Sequence, residues 1–278
     1  GSSQSEDEVA AAMMGGSGST GGDADLDISS LMNEGASTAG SAHDAINAAL
    51  MAGASTDETH SALTNSLGAS DPTTFGSYDA SGIIGSGTCM GGFVKDLDLY
   101  MDCTKLLGFL AVVNTEETDL DKLSKLEMIE WLKSMKGPSG NGLVIANNTL
   151  LEQINGLDKL SVVSGGLVIE GNPKLSSTLG LGENLKQVGI NDNGESVVIK
   201  HNELLNDLGR SWDFWQGKIA GTLTIEENAM LSQIKGLGGV FTIGGGLVVS
   251  GNDNLDDLDG LGSVHTVGAD SARKSLYI

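Results

Sequence analysis

Residues 164–182 read SGGLVIEGNPKLSSTLGLG, and this stretch decides the fold of the chain. Within it, Leu167-Val168-Ile169 is predicted to be a short strand, Asn172 marks a turn, and Leu175 returns to the core. At Gly180-Leu181 the chain then turns toward the core a second time, and we call this the second inward step. The same order recurs at residues 141–160, 220–239 and 244–263, which read NGLVIANNTLLEQINGLDKL, AGTLTIEENAMLSQIKGLGG and GGGLVVSGNDNLDDLDGLGS.

Predicted strands recur along the C-terminal half of the chain. They begin at Leu143, Leu167, Val197, Leu223, Leu247 and Leu276, and by subtraction the intervals are 24, 30, 26, 24 and 29 residues. Repeats of this length stack as the coils of a solenoid, because each repeat buries its apolar face only against its neighbours. We therefore predict a mainly β fold, a right-handed parallel β-helix or leucine-rich-like solenoid.

Side chains alternate between the two faces of each predicted strand. Leu167 and Ile169 should point inward and Val168 outward, and the other coils show the same pattern. The outward residues form a mostly apolar column: Val144, Val168, Val198, Thr224, Val248 and Tyr277. A solvent-facing sheet usually carries more charge, so the column predicts an interaction face that a partner or the N-terminal segment covers. The alternative is that Val and Thr simply suit strands.

An asparagine follows the start of five predicted strands at the same offset: Asn148, Asn172, Asn202, Asn228 and Asn252. At a corner, asparagine tolerates the left-handed conformation and hydrogen-bonds to nearby backbone. Because the spacing follows the core, we predict a stacked structural ladder, with a polar binding row as the alternative. The first coil, from Leu110 to Met135, lacks this asparagine.

The chain has 278 residues and a formal net charge of -22. This acid excess argues against binding to nucleic acid phosphates and suits cationic partners. No uninterrupted apolar run approaches the ~20 residues that a membrane helix needs, so we predict no direct membrane insertion.

The N-terminal third differs from the rest in composition. Residues 1–94 contain twelve acidic residues and no Lys or Arg. Ser5-Glu-Asp-Glu8 and Ser55-Thr-Asp-Glu58 have the form of helix capping boxes, and apolar pairs precede glycines. We predict a low-complexity, partly helical extension over residues 1–88 that contacts a partner through these apolar pairs. The possible anchors are Met13, Met14, Leu31, Met32, Leu50 and Met51.

Two cysteines, Cys89 and Cys103, bracket the sequence MGGFVKDLDLYMD. By themselves they are compatible with a disulfide or with two reduced thiols. Apolar residues on one helical face lie between them: Phe93, Val94, Leu97 and Met101. This pattern predicts a short amphipathic cap helix within residues 89–103, which would cover the core that a first coil exposes.

The sequence that begins at Cys103, CTKLLGFLAVVN, resembles the entry to a receptor L domain. Members of this family are leucine-rich, single-stranded right-handed β-helices of insulin-receptor and epidermal-growth-factor-receptor ectodomains. In the family a short helix lies between two disulfide-bonded cysteines before the first strand, which implies a Cys89–Cys103 disulfide and an oxidising compartment. The resemblance covers residues 89–278, which we assign to one solenoid domain, and it supports the fold more than a ligand.

Candidate catalytic residues are few. The histidines His43, His60, His201 and His265 are scattered, with no carboxylate or cysteine at metal-ligand spacing. The acids Asp253, Asp256, Asp257 and Asp259 are the best hint of a β-helix polysaccharide enzyme, but they fall in turns rather than along adjacent strands. No Ser/His/Asp or Cys/His arrangement is apparent. We therefore predict no catalytic residue, no metal and no cofactor.

Two further features are candidate contact or modification sites. Asn147-Asn-Thr149 is an N-glycosylation sequon, although short sequons often occur by chance. Trp212 and Trp215 lie in an irregular coil, where they serve as contact anchors or fill the space of a missing Gly-Leu step.

Together these patterns predict a non-catalytic structural or interaction module, either extracellular, on the cell surface or in an oxidising organelle lumen. Its partners would be other protein subunits, including head-to-tail copies of itself, contacted through the extension and the outward strand face. A ligand- or glycan-binding ectodomain of a surface receptor is the alternative. A β-helix polysaccharide-active enzyme ranks last.

Overall fold

The computed structural model describes residues 87–94, 96–131, 137–181, 184–209, 217–270 and 272–278. The possible anchors between Met13 and Met51, and the pair Trp212 and Trp215, lie outside these described residues. Within them the chain is mainly β and its strands pair in parallel, which confirms the predicted solenoid class.

The strands follow one another with short connections. They are β1 (Thr88–Phe93), β2 (Lys105–Val113), β3 (Met128–Glu130), β4 (Asn141–Ala146), β5 (Val162–Val163), β6 (Gly166–Glu170), β7 (Gln187–Val188), β8 (Glu195–Lys200), β9 (Lys218–Ile219), β10 (Thr222–Glu226), β11 (Thr242–Ile243), β12 (Leu247–Ser250), β13 (Thr266–Val267) and β14 (Leu276–Tyr277). Short 3-10 helices lie at Leu97–Tyr100, Asp121–Leu123, Pro138–Gly140, Asn155–Leu157, Lys235–Gly239 and Asp259–Leu261.

The main face of the solenoid is the row β14-β12-β10-β8-β6-β4-β2, in which β1 adds to β2. A second face consists of short strands, β3-β5-β7 and β9-β11-β13. Strand β2 belongs to both faces, because Lys105–Leu107 pair with β3 whereas Leu110–Val113 pair with β4. Each coil therefore contributes one long and one short strand to a parallel stack.

The inward residues of the long strands form one continuous apolar core. Leu167 and Ile169 are both 0% exposed, which confirms the predicted register of this strand. The second inward step is also confirmed, because Leu157, Leu181 and Leu237 are buried. The equivalent Leu261, in the last full coil, is only partly buried against the core.

The Gly-Leu step is a place where two coils come very close. A Cβ atom on Gly156 would lie 1.6 Å from the carbonyl oxygen of Leu120 in the preceding coil. The matching distance from Gly260 to the carbonyl oxygen of Ile234 is 1.8 Å. No side chain fits at this separation, so the glycine permits the backbone contact and the following leucine fills the core.

The asparagine ladder lies at the corner, which is the turn that follows each long strand. Asn172 Oδ1 accepts hydrogen bonds from the backbone N–H and the Nδ2 of Asn148, at 3.1 and 3.0 Å. Asn172 Nδ2 donates to the carbonyl oxygen of Ile145, at 3.0 Å. The same pattern links Asn172 to Asn202, Asn202 to Asn228 and Asn228 to Asn252. The structural ladder is therefore confirmed.

The left-handed residue at each corner is the one before the ladder asparagine, not the asparagine itself. Positive φ angles of 53° to 65° occur in Asn147, Gly171, His201, Glu227 and Gly251. The ladder asparagines instead use their side chains to bond the next coil. In the first coil Thr115 takes the ladder position, where its N–H and Oγ1 donate to Asn148 Oδ1.

The predicted cap helix across residues 89–103 is wrong. Residues Thr88–Phe93 form a strand that pairs with β2, and only Leu97–Tyr100 form a single 3-10 turn. Gly91 helps to explain the difference, since its Cβ would lie 2.0 Å from the Phe109 carbonyl oxygen of β2. Glycine disfavours helices but permits this close strand contact. Leu97 is buried as expected, whereas Met101 is 49% exposed.

The N-terminal end of the solenoid is nevertheless closed. Cys89 and Cys103 form a disulfide with a Cα–Cα distance of 5.8 Å, and both residues are buried. This bridge ties β1 to Cys103, two residues before β2, as the family resemblance implied. Lys125 donates to Asp102 at 2.6 Å, and this hydrogen bond lowers the pKa of the exposed Asp102 carboxyl.

Candidate functional site

The outward residues of the main face stack in register across the solenoid. Strand pairing places Ala111, Val144, Val168, Val198, Thr224, Val248 and Tyr277 side by side in this order. Strand β1 adds Phe93 beside Ala111. We call this row the outer column. All the residues that the sequence predicted for the interaction face belong to it.

Most of the outer column is buried. Val144 is 8% exposed, Val168 2%, Val198 5% and Thr224 6%. The three valines form a second apolar cluster with Phe109, Ala111 and Ala146, against which Phe93 and Val113 pack. Phe93 is partly buried at the N-terminal end, and accessibility increases at the C-terminal end, where Val248 is half-buried and Tyr277 is 55% exposed. An outward direction therefore does not make Val168 a solvent-facing residue.

The aromatic end of this cluster was not predicted from the sequence. Phe93 and Phe109 pack edge to face, with ring centroids 5.3 Å apart. The helical spacing of Phe93, Val94 and Leu97 predicts a helix, and a helix does not place Phe93 beside Ala111. A signal was present in the sequence, because Phe109 and Ala111 alternate with the inward Leu110 and Val112 of β2.

A row of polar residues lies beside the outer column, at the C-terminal ends of the long strands. Glu170 is buried, and Lys200 Nζ lies 3.3 Å from its Oε1. His201 Nε2 contacts Glu227 Oε2 at 2.6 Å, and His201 Nδ1 lies 3.6 Å from Glu170 Oε1. These contacts join neighbouring coils. The row therefore stabilises the stack, and its groups are paired with one another rather than arranged around a substrate.

The C-terminal end of the solenoid holds a cavity of about 430 Å³. Core residues of the last coil line it, including Val249, Leu255 and Leu258, together with the exposed Tyr277 and Ile278. Asp256 and Asp257 lie at its edge. The cavity thus joins apolar core surface to carboxylates.

Residues weighed as catalytic, metal-binding or modified sites do not converge. Asp257 Oδ1 accepts a hydrogen bond from the backbone N–H of Asp259, which is a turn contact. Among the described residues no group of three or more His, Cys, Asp or Glu could hold a metal ion. His265 packs edge to face with Phe241, with centroids 6.2 Å apart. His43 and His60 lie outside the described residues.

The sequon asparagine occupies a constrained position. Asn147 has φ 55°, and its Nδ2 is buried without a hydrogen-bond partner. A glycan attaches through this nitrogen. The folded corner therefore does not present the acceptor atom of the sequon to solvent.

Comparison with known proteins gives a family for the first part of the solenoid. The model of the receptor L domain family matches residues 90–187, which span the end of β1 through the start of β7. Searches of curated proteins and of solved structures found no match. The described residues include no helix long and apolar enough to cross a membrane.

The family match agrees with the structure in three respects. The matched residues form parallel coils, a disulfide closes their N-terminal end, and strand β2 begins two residues after the second cysteine. The family consists of non-enzymatic ligand-binding domains, which are extracellular in receptors. The match over residues 90–187 therefore supports the assignment of this part of the chain to the receptor L domain family.

Proposed function

We propose that this chain is a non-catalytic protein-binding module that works outside the cytosol and assembles with other protein subunits. The observation that carries the proposal is the outer column. It is apolar but buried over most coils, and it becomes accessible at Val248 and at Tyr277, which lines the cavity of mixed apolar and acidic residues. Leu276 and Ile278 are also exposed there, and exposed apolar residues grouped in this way favour contact with a protein.

A head-to-tail contact between copies is the form of assembly that the strand order supports. Among the described residues, β1 pairs only with β2 and β14 pairs only with β12. An unpaired strand edge is a template for another strand. Joining β14 of one copy to β1 of the next would continue the parallel stack. Such a contact is heterologous and propagates into a ring or a filament.

The disulfide supports the proposed compartment. Cys89 and Cys103 are the two cysteines of the chain, and they are bonded to each other. Disulfides persist in oxidising environments, such as the cell exterior and organelle lumens. Localisation on the cell surface, in the extracellular space or in a lumen fits this chemistry.

Sedimentation of the full chain tests the assembly. We expect species larger than a monomer, and we expect the double variant Leu276→Asp/Tyr277→Asp to sediment as a monomer because two charges would lie in the contact. The control is Thr266→Asp, which adds a charge at an exposed residue of the second face. A full chain that is monomeric at high concentration would exclude head-to-tail assembly.

The extension has its own test. A chain that lacks residues 1–85 should keep the circular dichroism of the solenoid and lose any association that depends on Met13, Leu31 or Leu50. Unchanged association would remove the extension from the contact. If both tests show a monomer, the alternative is a receptor ectodomain that binds a different protein or a glycan, as the ligand-binding character of the family allows.

A further inference from the structure

A second apolar surface lies on the corner, away from the outer column. The residue two positions after the ladder asparagine is exposed in every coil, and in three coils it is a large apolar residue. Leu150 is 38% exposed, Leu204 51% and Met230 46%. Lys174 and Asn254 hold the same position in the other two coils. We call Leu150, Lys174, Leu204 and Met230 the corner ridge.

The corner ridge is continuous because hydrogen bonds hold the coils in register on both sides of it. The asparagine ladder lies before it. After it, the backbone N–H groups of Ser176, Asn206 and Ser232 donate to Glu152, Ser176 and Asn206, at 3.3, 3.0 and 3.1 Å. Neighbouring ridge positions also touch directly, since Asn254 Nδ2 lies 3.4 Å from Met230 Sδ.

Folding alone does not explain apolar residues at this position. The ladder asparagine and the leucine after the ridge residue are buried, whereas the ridge side chain points away from both contacts and remains exposed. Single exposed apolar residues are common on protein surfaces, but a stacked row of them is not. The methylene groups of Lys174 extend the row between Leu150 and Leu204.

The charges around the corner ridge indicate the charge of the partner that it would bind. The same five turns, residues 147–153, 171–177, 201–207, 227–233 and 251–257, contain one lysine and seven carboxylates. The carboxylates are Glu152, Glu203, Asp207, Glu227, Asp253, Asp256 and Asp257. An anionic rim repels anionic membrane surfaces and attracts cations.

The spacing of the ridge suits a helix. Stacked coils are about 4.8 Å apart, so Leu150 and Met230 are separated by about 14 Å along the stack. An α-helix rises about 5.4 Å per turn. Apolar residues that are one helical turn apart therefore match the spacing of the coils closely over the three intervals between Leu150 and Met230. We propose that the corner ridge binds an amphipathic helix of a basic partner protein, with leucine-like residues on the ridge and Lys or Arg beside the rim.

This inference is independent of the outer column and of self-assembly, because it uses other residues on a different side of the coil. The probe is a labelled synthetic helix of about 18 residues with one leucine per turn on one face and lysines on both flanks. Fluorescence anisotropy with the full chain measures its binding at physiological salt. We expect saturable binding with one peptide per chain.

Two variants decide where the peptide binds. Leu204→Asn/Met230→Asn should weaken binding by about tenfold or more, because it removes the central apolar contacts. Both residues are exposed, so the variant should fold, and circular dichroism checks this. The control Ile190→Asn changes an equally exposed residue, 44% accessible, outside the ridge and should bind normally.

Three results would overturn the inference. The first is the absence of saturable binding. The second is equal binding by the ridge variant and the unaltered chain. The third is undiminished binding of a peptide whose leucines are replaced by serine, which would show attraction by charge alone. The Leu276→Asp/Tyr277→Asp variant should still bind the helix, so failure here is distinguishable from failure of the assembly proposal.

Discussion

Asn172 shows how much structure one side chain supports. It is 0% exposed, and it bonds both the preceding coil, through Asn148 and Ile145, and the following coil, through Asn202. A buried polar group without a partner costs about 1–3 kcal/mol. Because each amide satisfies groups in neighbouring coils, the loss of one asparagine leaves several buried groups unpaired.

Asn172→Ala should therefore lower the free energy of unfolding by about 3 kcal/mol or more, since at least two buried partners lose their hydrogen bonds. Urea denaturation followed by tryptophan fluorescence measures the change. The matched control is Asn254→Ala, which removes an exposed amide from the last corner and should have little effect. Equal effects would mean that the ladder contributes no stability.

Ile169 and Val168 are neighbours on opposite faces of β6, and both are buried. Ile169→Ala should cost about 2–5 kcal/mol through the cavity that it leaves in the core. Val168→Ala removes fewer atoms and should cost about 2 kcal/mol, because its methyl groups are also removed from water. Thermal unfolding of both variants checks this. A negligible effect at Val168 would show that the outer column does not pack in solution.

At the scale of elements, β1 lies at the edge of the main face. It pairs with β2 alone among the described strands, and its register shifts between Met90 and Gly92. The disulfide holds it at Cys89. The bond closes a loop of fourteen residues, so its removal should cost about 3 kcal/mol by loss of the constraint on the unfolded chain.

Cys89→Ser/Cys103→Ser should thus melt at a lower temperature than the parent chain, and the parent should shift to the same value in reductant. Intact mass with and without reduction confirms that the bridge is present. A matched control is Ser161→Ala, which leaves both cysteines unchanged. If reductant shifted the control and the parent but not the double variant, the effect would belong to the disulfide.

Most elements of the repeat could be predicted from the sequence, because apolar alternation and a fixed asparagine offset determine each coil locally. The entry to the first coil could not. Phe93, Val94 and Leu97 satisfy a helical period, yet the free edge of β2 satisfies the backbone of Thr88–Phe93 better than a short helix does. That competition depends on pairing with the next strand, β2, which the local pattern of Phe93, Val94 and Leu97 does not contain.

The candidate surfaces show the same limit. The outer column was predictable as a register, since it follows from alternation, but the burial of Val168 and Val198 depends on packing between elements. The corner ridge was also present as Leu150, Leu204 and Met230 in the sequence. Only the exposure of these residues separates them from the buried leucine that follows each one.

For the whole molecule, the two ends of the solenoid differ. A strand, a 3-10 turn and a disulfide cover the N-terminal end, whereas Leu276, Tyr277 and Ile278 are each more than half exposed at the other end. In a stack where each coil contacts only its neighbours, stability depends on position. Hydrogen exchange reports such local differences.

Hydrogen exchange followed by mass spectrometry should show slow amides in β4, β6 and β8 and progressively faster ones in β12 and β14. Salt should change this gradient little, since it arises from packing rather than charge. Uniform protection along the row would mean that the C-terminal end is covered in solution, and it would then be examined at several concentrations to detect a neighbouring copy.

The hydrogen bonds of the ladder join residues that are 24, 30, 26 and 24 positions apart, yet their geometry is constant. The coil of 30 residues takes up its additional length elsewhere, including the turn at Asn193 and Gly194, where an added Cβ on Gly194 would meet no atom within 4 Å. The repeat therefore tolerates insertions and deletions wherever they avoid the strand and the ladder asparagine. Variation in coil length can change what the turns display while the stack beneath stays the same.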